Sequence, residues 1–348
     1  MLWLIIGIPL LLFGGDALVR GSAALARLLG VSPLIIGLTI VAFGTSAPEL
    51  AVNLTAAISG DVGISFGNII GSNIANIGLI LGICAMIQPL SVHRTIIIRE
   101  IPMMLLGTFA VVVMAVDAFW LGGNGVGGAT EAAGGGPGGG AGGGALVEVF
   151  TRGDGLIMLL FFAVFMYYTL TAALSDREDS LTLLPGVEEV EEQTSISKRL
   201  AWILLLGGLV AVVAGGRLTV MGAVGVAEWL GAPQELIGLT VVAVGTSLPE
   251  LATGLMAVRR GETDIAIGNV VGSNIFNLLL ILAVTSIVQP LEIPAGGHVD
   301  LWMMMGLSLV LLPLAISGNQ KIDRVEGTAL LLLYLGYIGW RGVTGMGG

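Results

Sequence analysis

Apolar runs of about twenty residues, each closed by charge or by Gly and Pro, recur from one end of the chain to the other. Runs of that length predict helices that cross a bilayer. They fall near 2–28, 33–58, 62–87, 96–120, 154–174, 198–229, 234–259, 264–288, 299–317 and 326–344. The first and sixth are long for a perpendicular helix, which suits tilting. The N-terminal run lacks the basic start and small-residue cleavage site of a signal peptide, so it reads as a retained first span. Two stretches break the pattern. Residues 121–145 are Gly-dominated low complexity, expected to be a flexible linker with no role in transport. Residues 175–197 are polar and acidic, and their Glu188–Glu192 run reads as solvated surface.

Composition agrees with the pattern. Mean hydropathy is +0.98 and only 11% of the 348 residues are charged, against about 25% in soluble domains. That excludes a soluble enzyme and a disordered scaffold. A net charge of −10 excludes nucleic acid as a partner, because phosphate binding needs a basic face. The single cysteine, Cys84, excludes a disulfide framework and reads as an inert apolar filler. The expected fold is an all-α polytopic membrane protein of about ten transmembrane helices.

The chain also repeats itself. A shift of 201 positions lays GLTIVAFGTSAPELA (37–51) on GLTVVAVGTSLPELA (238–252) and GNIIGSNIANIGLIL (67–81) on GNVVGSNIFNLLLIL (268–282). Roughly half the positions from Gly30 to Leu90 are identical at that offset, without a gap. The domains expected are therefore a first five-helix repeat over 1–174, an acidic cytoplasmic linker over 175–197, and a second repeat over 198–348. An odd number of spans turns the second copy upside down. Lys and Arg collect in cytoplasmic loops, and with 175–197 inside, Arg27, Arg94, Arg99, Arg177, Lys198, Arg199, Arg259, Arg260, Lys321 and Arg324 all fall inside. Both termini and the Gly-rich loop then lie outside, and the two five-helix repeats are inverted.

The chemistry sits in the repeated blocks. Glu49 and Glu250 lie deep within spans two and seven, where an unpaired charge costs at least about 2.5–3.5 kcal/mol. Each follows a proline, Pro48 or Pro249, which removes a helical hydrogen bond and frees the carbonyl four residues earlier, that of Gly44 or Gly245. Irregular backbone at membrane depth is tolerated where it lines a polar cavity. Thr45 and Ser46 precede Glu49 at helical spacing, as Thr246 and Ser247 precede Glu250. In spans three and eight, Ser72 and Asn76 share a face, as do Ser273 and Asn277, while Asn68, Asn73, Asn269 and Asn274 add amides. Gly67, Gly71, Gly268 and Gly272 are spaced for close helix approach. These are hard oxygen donors, suited to calcium at 6–8 flexible ligands and to sodium. No His/Cys cluster argues for zinc, copper or iron. Plainer readings exist: a structural ion pair or protonated acid for the glutamates, and interhelical glue for the amides and hydroxyls. Asp16, whose counterpart is Arg217, reads as interfacial or paired.

The paired GTSxPEL and GNxxGSN blocks resemble the two alpha-repeats of the sodium/calcium exchanger family, within the calcium/cation antiporter superfamily. The resemblance covers both halves. It implies ions bound between helices two, three, seven and eight, and alternating access in which sodium entry drives electrogenic calcium export. Carried over by position, Glu49 and Glu250 are the central ligands and Thr45 and Thr246 give backbone oxygens. Ser46 and Ser247 line the sodium positions, and Ser72, Asn76, Ser273 and Asn277 complete the site. Several members carry Asp where this chain has Asn277, which weakens the case for potassium co-transport. No cofactor is implied beyond the transported calcium and sodium. The expected setting is a prokaryotic plasma membrane, with the lipid bilayer as partner and the monomer as functional unit. Alternatives are a proton/calcium antiporter of the same superfamily, a passive cation channel, and an intramembrane hydrolase using two carboxylates.

Overall fold

The computed structural model describes residues 2–116, 149–183, 196–229, 245–294 and 296–345. The Gly-rich stretch 121–145, residues 184–195 of the acidic segment and residues 234–244 of the expected seventh span lie outside them. The described chain is largely helical: α1 (Leu2–Leu29), α2 (Pro33–Thr45), α3 (Ala47–Ser59), α4 (Gly63–Ile87), α5 (Ile96–Ala115), α6 (Arg152–Leu183), α7 (Lys198–Trp229), α8 (Leu248–Arg259), α9 (Thr263–Val288), α10 (Gly297–Gln320) and α11 (Arg324–Gly345). Seven of these are long and apolar enough to cross a membrane, and the bent pair α2 and α3 makes an eighth. Of the ten expected spans, the described part of the seventh begins only near its middle, and α11 is a full-length helix diluted by polar residues.

Three features depart from the sequence expectation. The helix of the fifth span does not stop where its apolar run ends: α6 continues to Leu183, because SDREDSLTL holds no Pro or Gly to stop a helix. The chain is not purely α-helical either. The described residues include four two-residue strands, β1 (Leu90–Ser91), β2 (Val149–Phe150), β3 (Leu291–Glu292) and β4 (Lys321–Ile322). β1 pairs with β4 and β2 with β3, both antiparallel. Each pair ties a corner of one half to a corner of the other. Such two-residue ladders have no hydrophobic periodicity to announce them. Third, π-helical turns interrupt α2, α4, α5 and α9, at Gly37–Val41, Asn76–Leu81, Ile96–Glu100 and Asn277–Leu282.

Burial separates a centre from a rim. In α4 and α9, 78% and 83% of the apolar window is buried, against 17% in α6, so the two copies of the GNxxGSN block form the centre. On the flank, α1 and α7 cross antiparallel with almost no space between their backbones. A Cβ on Gly7, Gly14 or Gly21 would stand 2.6, 2.7 or 2.4 Å from the backbone nitrogen of Thr219, Val212 or Leu205. The reciprocal contacts run from Gly208, Gly215 and Gly222 to the nitrogens of Leu18, Leu11 and Leu4, at 2.4, 2.4 and 2.6 Å. Only glycine permits such approach, and van der Waals contact between backbones is what holds membrane helices together. These glycines recur every seventh residue and at the same offset of 201, a signal present in the sequence at a spacing wider than GxxxG. Gly268 and Gly272 pack as expected, on α2: their Cβ atoms would lie 3.0 Å from the Leu34 carbonyl oxygen and 2.7 Å from that of Leu38.

Candidate cation-binding site

The glutamates owe their position to a break in the helix. Ser46 (φ −84°, ψ 3°) and Ser247 (φ −86°, ψ 4°) leave helical geometry. The helix restarts at Ala47 or Leu248, with Pro48 or Pro249 in its first turn, where a missing N–H costs nothing. The bend between α2 and α3 is 41°. Glu49 and Glu250 therefore sit in the first turn of α3 and α8, not along an unbroken span. At a helix start, free N–H groups and the helix dipole favour negative charge.

The break also redirects the hydroxyls. Helical spacing places Thr45 and Ser46 beside Glu49, but the structure turns both toward the other half. Thr45 Oγ1 donates to Asn269 Oδ1 at 3.1 Å, and Ser46 Oγ donates to Glu250 Oε1 at 3.2 Å. Thr246 Oγ1 donates to Asn68 Oδ1 at 3.0 Å. The Thr45–Asn269 and Thr246–Asn68 bonds are the same bond at an offset of 201, exchanged between halves. Ser247 and Ser72 hydroxyls meet at 3.4 Å, and Asn76 Nδ2 donates to Asn274 Oδ1 at 2.9 Å. Thr45, Ser46, Glu49, Ser72, Asn76, Ser247, Glu250, Ser273 and Asn277 are all buried, and Thr246 is half-buried.

Several of their oxygens are buried without a hydrogen-bond partner: Glu49 Oε2, Glu250 Oε2, Asn76 Oδ1, Asn277 Oδ1 and Ser273 Oγ among the described residues. Each unmet buried polar group costs about 1–3 kcal/mol. A cluster of them is what a hard cation relieves, since carboxylate, amide and hydroxyl oxygens are its preferred ligands. Asn76 and Asn277 open the π turns of α4 and α9, and π turns concentrate at functional sites. Asn68 and Asn269 belong to the same network through their bonds to the threonines. Asn53 is a further polar neighbour of the site, outside the blocks that repeat in both halves. It is buried one turn beyond Glu49, donates from Nδ2 to the Glu49 carbonyl at 2.7 Å, and leaves Oδ1 unmet; its i+4 spacing from Glu49 was the available signal. Asp16 is paired with Arg260, at 2.5 and 2.7 Å. Among the described residues no three His, Cys, Asp or Glu side chains cluster as a metal centre, so an ion here would rest on two carboxylates and neutral oxygens.

A bundle of apolar helices enclosing a charged oxygen cage defines an integral membrane protein of the ion-transporting class. The sequence profile described as sodium/calcium exchanger protein matches residues 1–171 and 200–343, and the chain belongs to that family. It is 36% identical to the sodium/calcium exchanger MaX1 of Methanosarcina acetivorans over 96% of both chains. It is 34% identical to the inner membrane protein YrbG of Escherichia coli, over 97% of this chain and 94% of that protein. The solved structure of the sodium-calcium exchanger NCX_Mj, soaked with 2.5 mM sodium and 0.1 mM calcium, superposes with a TM-score of 0.76 at 31% identity. That match covers 97% of this chain and 96% of the other.

Proposed function

We propose that this protein is a secondary antiporter that exchanges sodium for calcium by alternating access and exports calcium with net movement of charge. The observation that carries the reading is the pair Glu49 and Glu250, buried at helix starts from the two halves and surrounded by unmet oxygens of both. Two carboxylates balance one calcium ion. The backbone oxygens of Thr45 and Thr246 and the hydroxyls and amides of Ser46, Ser247, Ser72, Asn76, Ser273 and Asn277 supply neutral oxygens that sodium also accepts, whereas a proton needs no such shell. Membership of the sodium/calcium exchanger family agrees with both ions, and makes an enzymatic role or a passive pore unnecessary. The neutral amide at Asn277 favours exchange without potassium.

The architecture belongs to the same proposal: halves 1–174 and 198–348, joined by the cytoplasmic 175–197, as inverted repeats of five spans each. Antiparallel crossing of the equivalent helices α1 and α7 supports inversion, as does the exchange of Thr45–Asn269 for Thr246–Asn68. Inverted repeats with broken helices at midplane are a recurrent transporter design. The protein then works as a monomer in a prokaryotic plasma membrane with both termini outside.

The test is calcium uptake into proteoliposomes loaded with sodium or with potassium at equal pH, with an ionophore collapsing any proton gradient. Uptake only with internal sodium is expected. Uptake driven by an imposed pH gradient, and indifferent to sodium, would replace sodium with protons as the driving ion. Uptake without any counter-ion would make the protein a channel.

A further inference from the structure

The two halves share a backbone plan but not their surface charges, and the difference falls where α1 meets α8. Arg260, at the C-terminal end of α8, holds Asp16 of α1 through two bonds, Nε to Oδ1 at 2.5 Å and Nη2 to Oδ2 at 2.7 Å. A bidentate guanidinium–carboxylate pair is the geometrically strongest form of ion pair. Arg27, near the end of α1, reaches Glu262 beyond the same turn at 3.6 Å. Between these contacts and the glutamates, Gly15 of α1 lies against the Ala252 carbonyl, where a Cβ would stand 3.1 Å from the oxygen. The pair itself lines a cleft of about 750 Å³, together with Ile8, Leu12, Phe13, Met256 and Arg259, and none of the candidate site residues lines it. On this face, α1 is fastened over α8.

On the opposite face, the positions that correspond to this pair carry other residues. Moving each partner by 201 positions gives Arg217 for Asp16 and Ser59 for Arg260. The bidentate pair becomes a cation and a hydroxyl. The turns themselves are alike: Gly60 (φ 83°) and Gly261 (φ 75°) are both left-handed, so the backbone is not the source of the difference.

We infer that Asp16 and Arg260 are positioning residues of the transport cycle: their ion pair fastens α1 to α8 and biases the protein toward the state closed on the Arg260 face. The inference rests on the antiporter reading with inverted repeats. Neither residue touches the ion. Half-exposed pairs contribute modestly, but a two-state equilibrium converts a modest bias into populations, and apparent affinity at each face scales with the population open to it.

Asp16→Asn and Arg260→Gln should weaken apparent calcium affinity at the Ser59 face and strengthen it at the Arg260 face, each by roughly two- to fivefold. Ser59→Asp, which gives Arg217 a carboxylate, should shift both affinities the same way by fastening the opposite state. The charge swap Asp16→Arg with Arg260→Asp should restore wild-type values. Equal loss at both faces, or a swap that folds and restores nothing, would overturn the inference. A transport-independent measurement accompanies these: cross-linking of Ser59→Cys with Arg217→Cys by a short bismaleimide, in a Cys84→Ala background. Asp16→Asn should speed it by about the same factor, and an unchanged rate overturns the latch. Absence of sodium-driven exchange in the wild type would instead strike the antiporter reading, with the cross-linking result standing by itself.

Discussion

Glu49 and Glu250 stand on backbones that are almost interchangeable, each at the start of a helix after a serine near φ −85°, yet their surroundings differ. Glu250 accepts a hydrogen bond from Ser46. The corresponding serine, Ser247, meets the Ser72 hydroxyl rather than Glu49. One turn on, Glu49 is followed by the buried amide of Asn53, whereas Glu250 is followed by Gly254, where a Cβ would lie 3.2 Å from Cys84 Sγ. Duplication therefore fixes local geometry, because the Ser-x-Pro-Glu break is a local instruction. It does not fix the contacts each carboxylate makes, because those come from neighbours that have diverged. The two arms are equivalent in charge and unequal in hydrogen bonding.

The strongest way to break the comparison is to remove charge from either arm. Glu49→Gln and Glu250→Gln should each abolish calcium flux in proteoliposomes while leaving folding and membrane insertion intact. Equal loss from both would show that charge, shared by the two arms, outweighs their differences. Exchange at wild-type rate in either variant would sink the assignment of the site. Next in size is the flank on which both arms lean. Gly208→Leu drives a side chain into the backbone of Leu18, 2.4 Å from its nitrogen. Loss of folded, detergent-stable protein is expected by thermal melting. Gly207→Leu is the control, since Gly207 is exposed and has no described atom within 4 Å of its Cβ position. A sample with Gly208→Leu as stable as the control would mean that α1 and α7 do not pack this closely.

The hydroxyls sharpen the comparison. Ser46→Ala takes a hydrogen bond from a carboxylate, worth about 1.5–3 kcal/mol, while Ser247→Ala takes one from another hydroxyl, worth about 0.5–1.5 kcal/mol. Calcium affinity by titration calorimetry should fall about tenfold or more for the first and several-fold less for the second. Equal losses would mean the two arms rearrange to a common geometry when calcium binds.

What the sequence made legible was whatever repeats or has a period. Spans, the 201-residue offset and the paired Ser-x-Pro-Glu and Gly-Ser-Asn blocks can be read without coordinates, because apolar length and matched motifs are properties of the chain itself. Two kinds of feature were not legible. Backbone irregularities, such as the π turns opening at Asn76 and Asn277, have no hydrophobic periodicity to announce them, although they recur at the same offset of 201. Cross-half contacts form the second kind: helical spacing assigns Ser46 to Glu49, but the break at Ser46 sends it to Glu250. Asp16 shows an intermediate case. Its mismatch with Arg217 indicated a pairing role, and only the fold could supply Arg260 as the partner.

The smallest effect is expected where the halves differ most in length. In the second half, α10 ends at Gln320 and α11 begins at Arg324, with β4 filling the corner. In the first half the matching corner runs from Ala115 to Arg152 and contains the Gly-rich 121–145. Even so, β2 enters α6 at that corner and pairs with β3, as β4 enters α11 and pairs with β1. Chain ends that meet the same pairing with or without an insert do not depend on it, and loop length changes closure entropy only slowly, about 0.6 kcal/mol per doubling. Deleting most of 121–145 should therefore leave sodium-driven calcium uptake within about twofold of wild type. Complete loss of uptake, in a variant that still folds and inserts, would show that this corner does more in the first half than its counterpart does in the second.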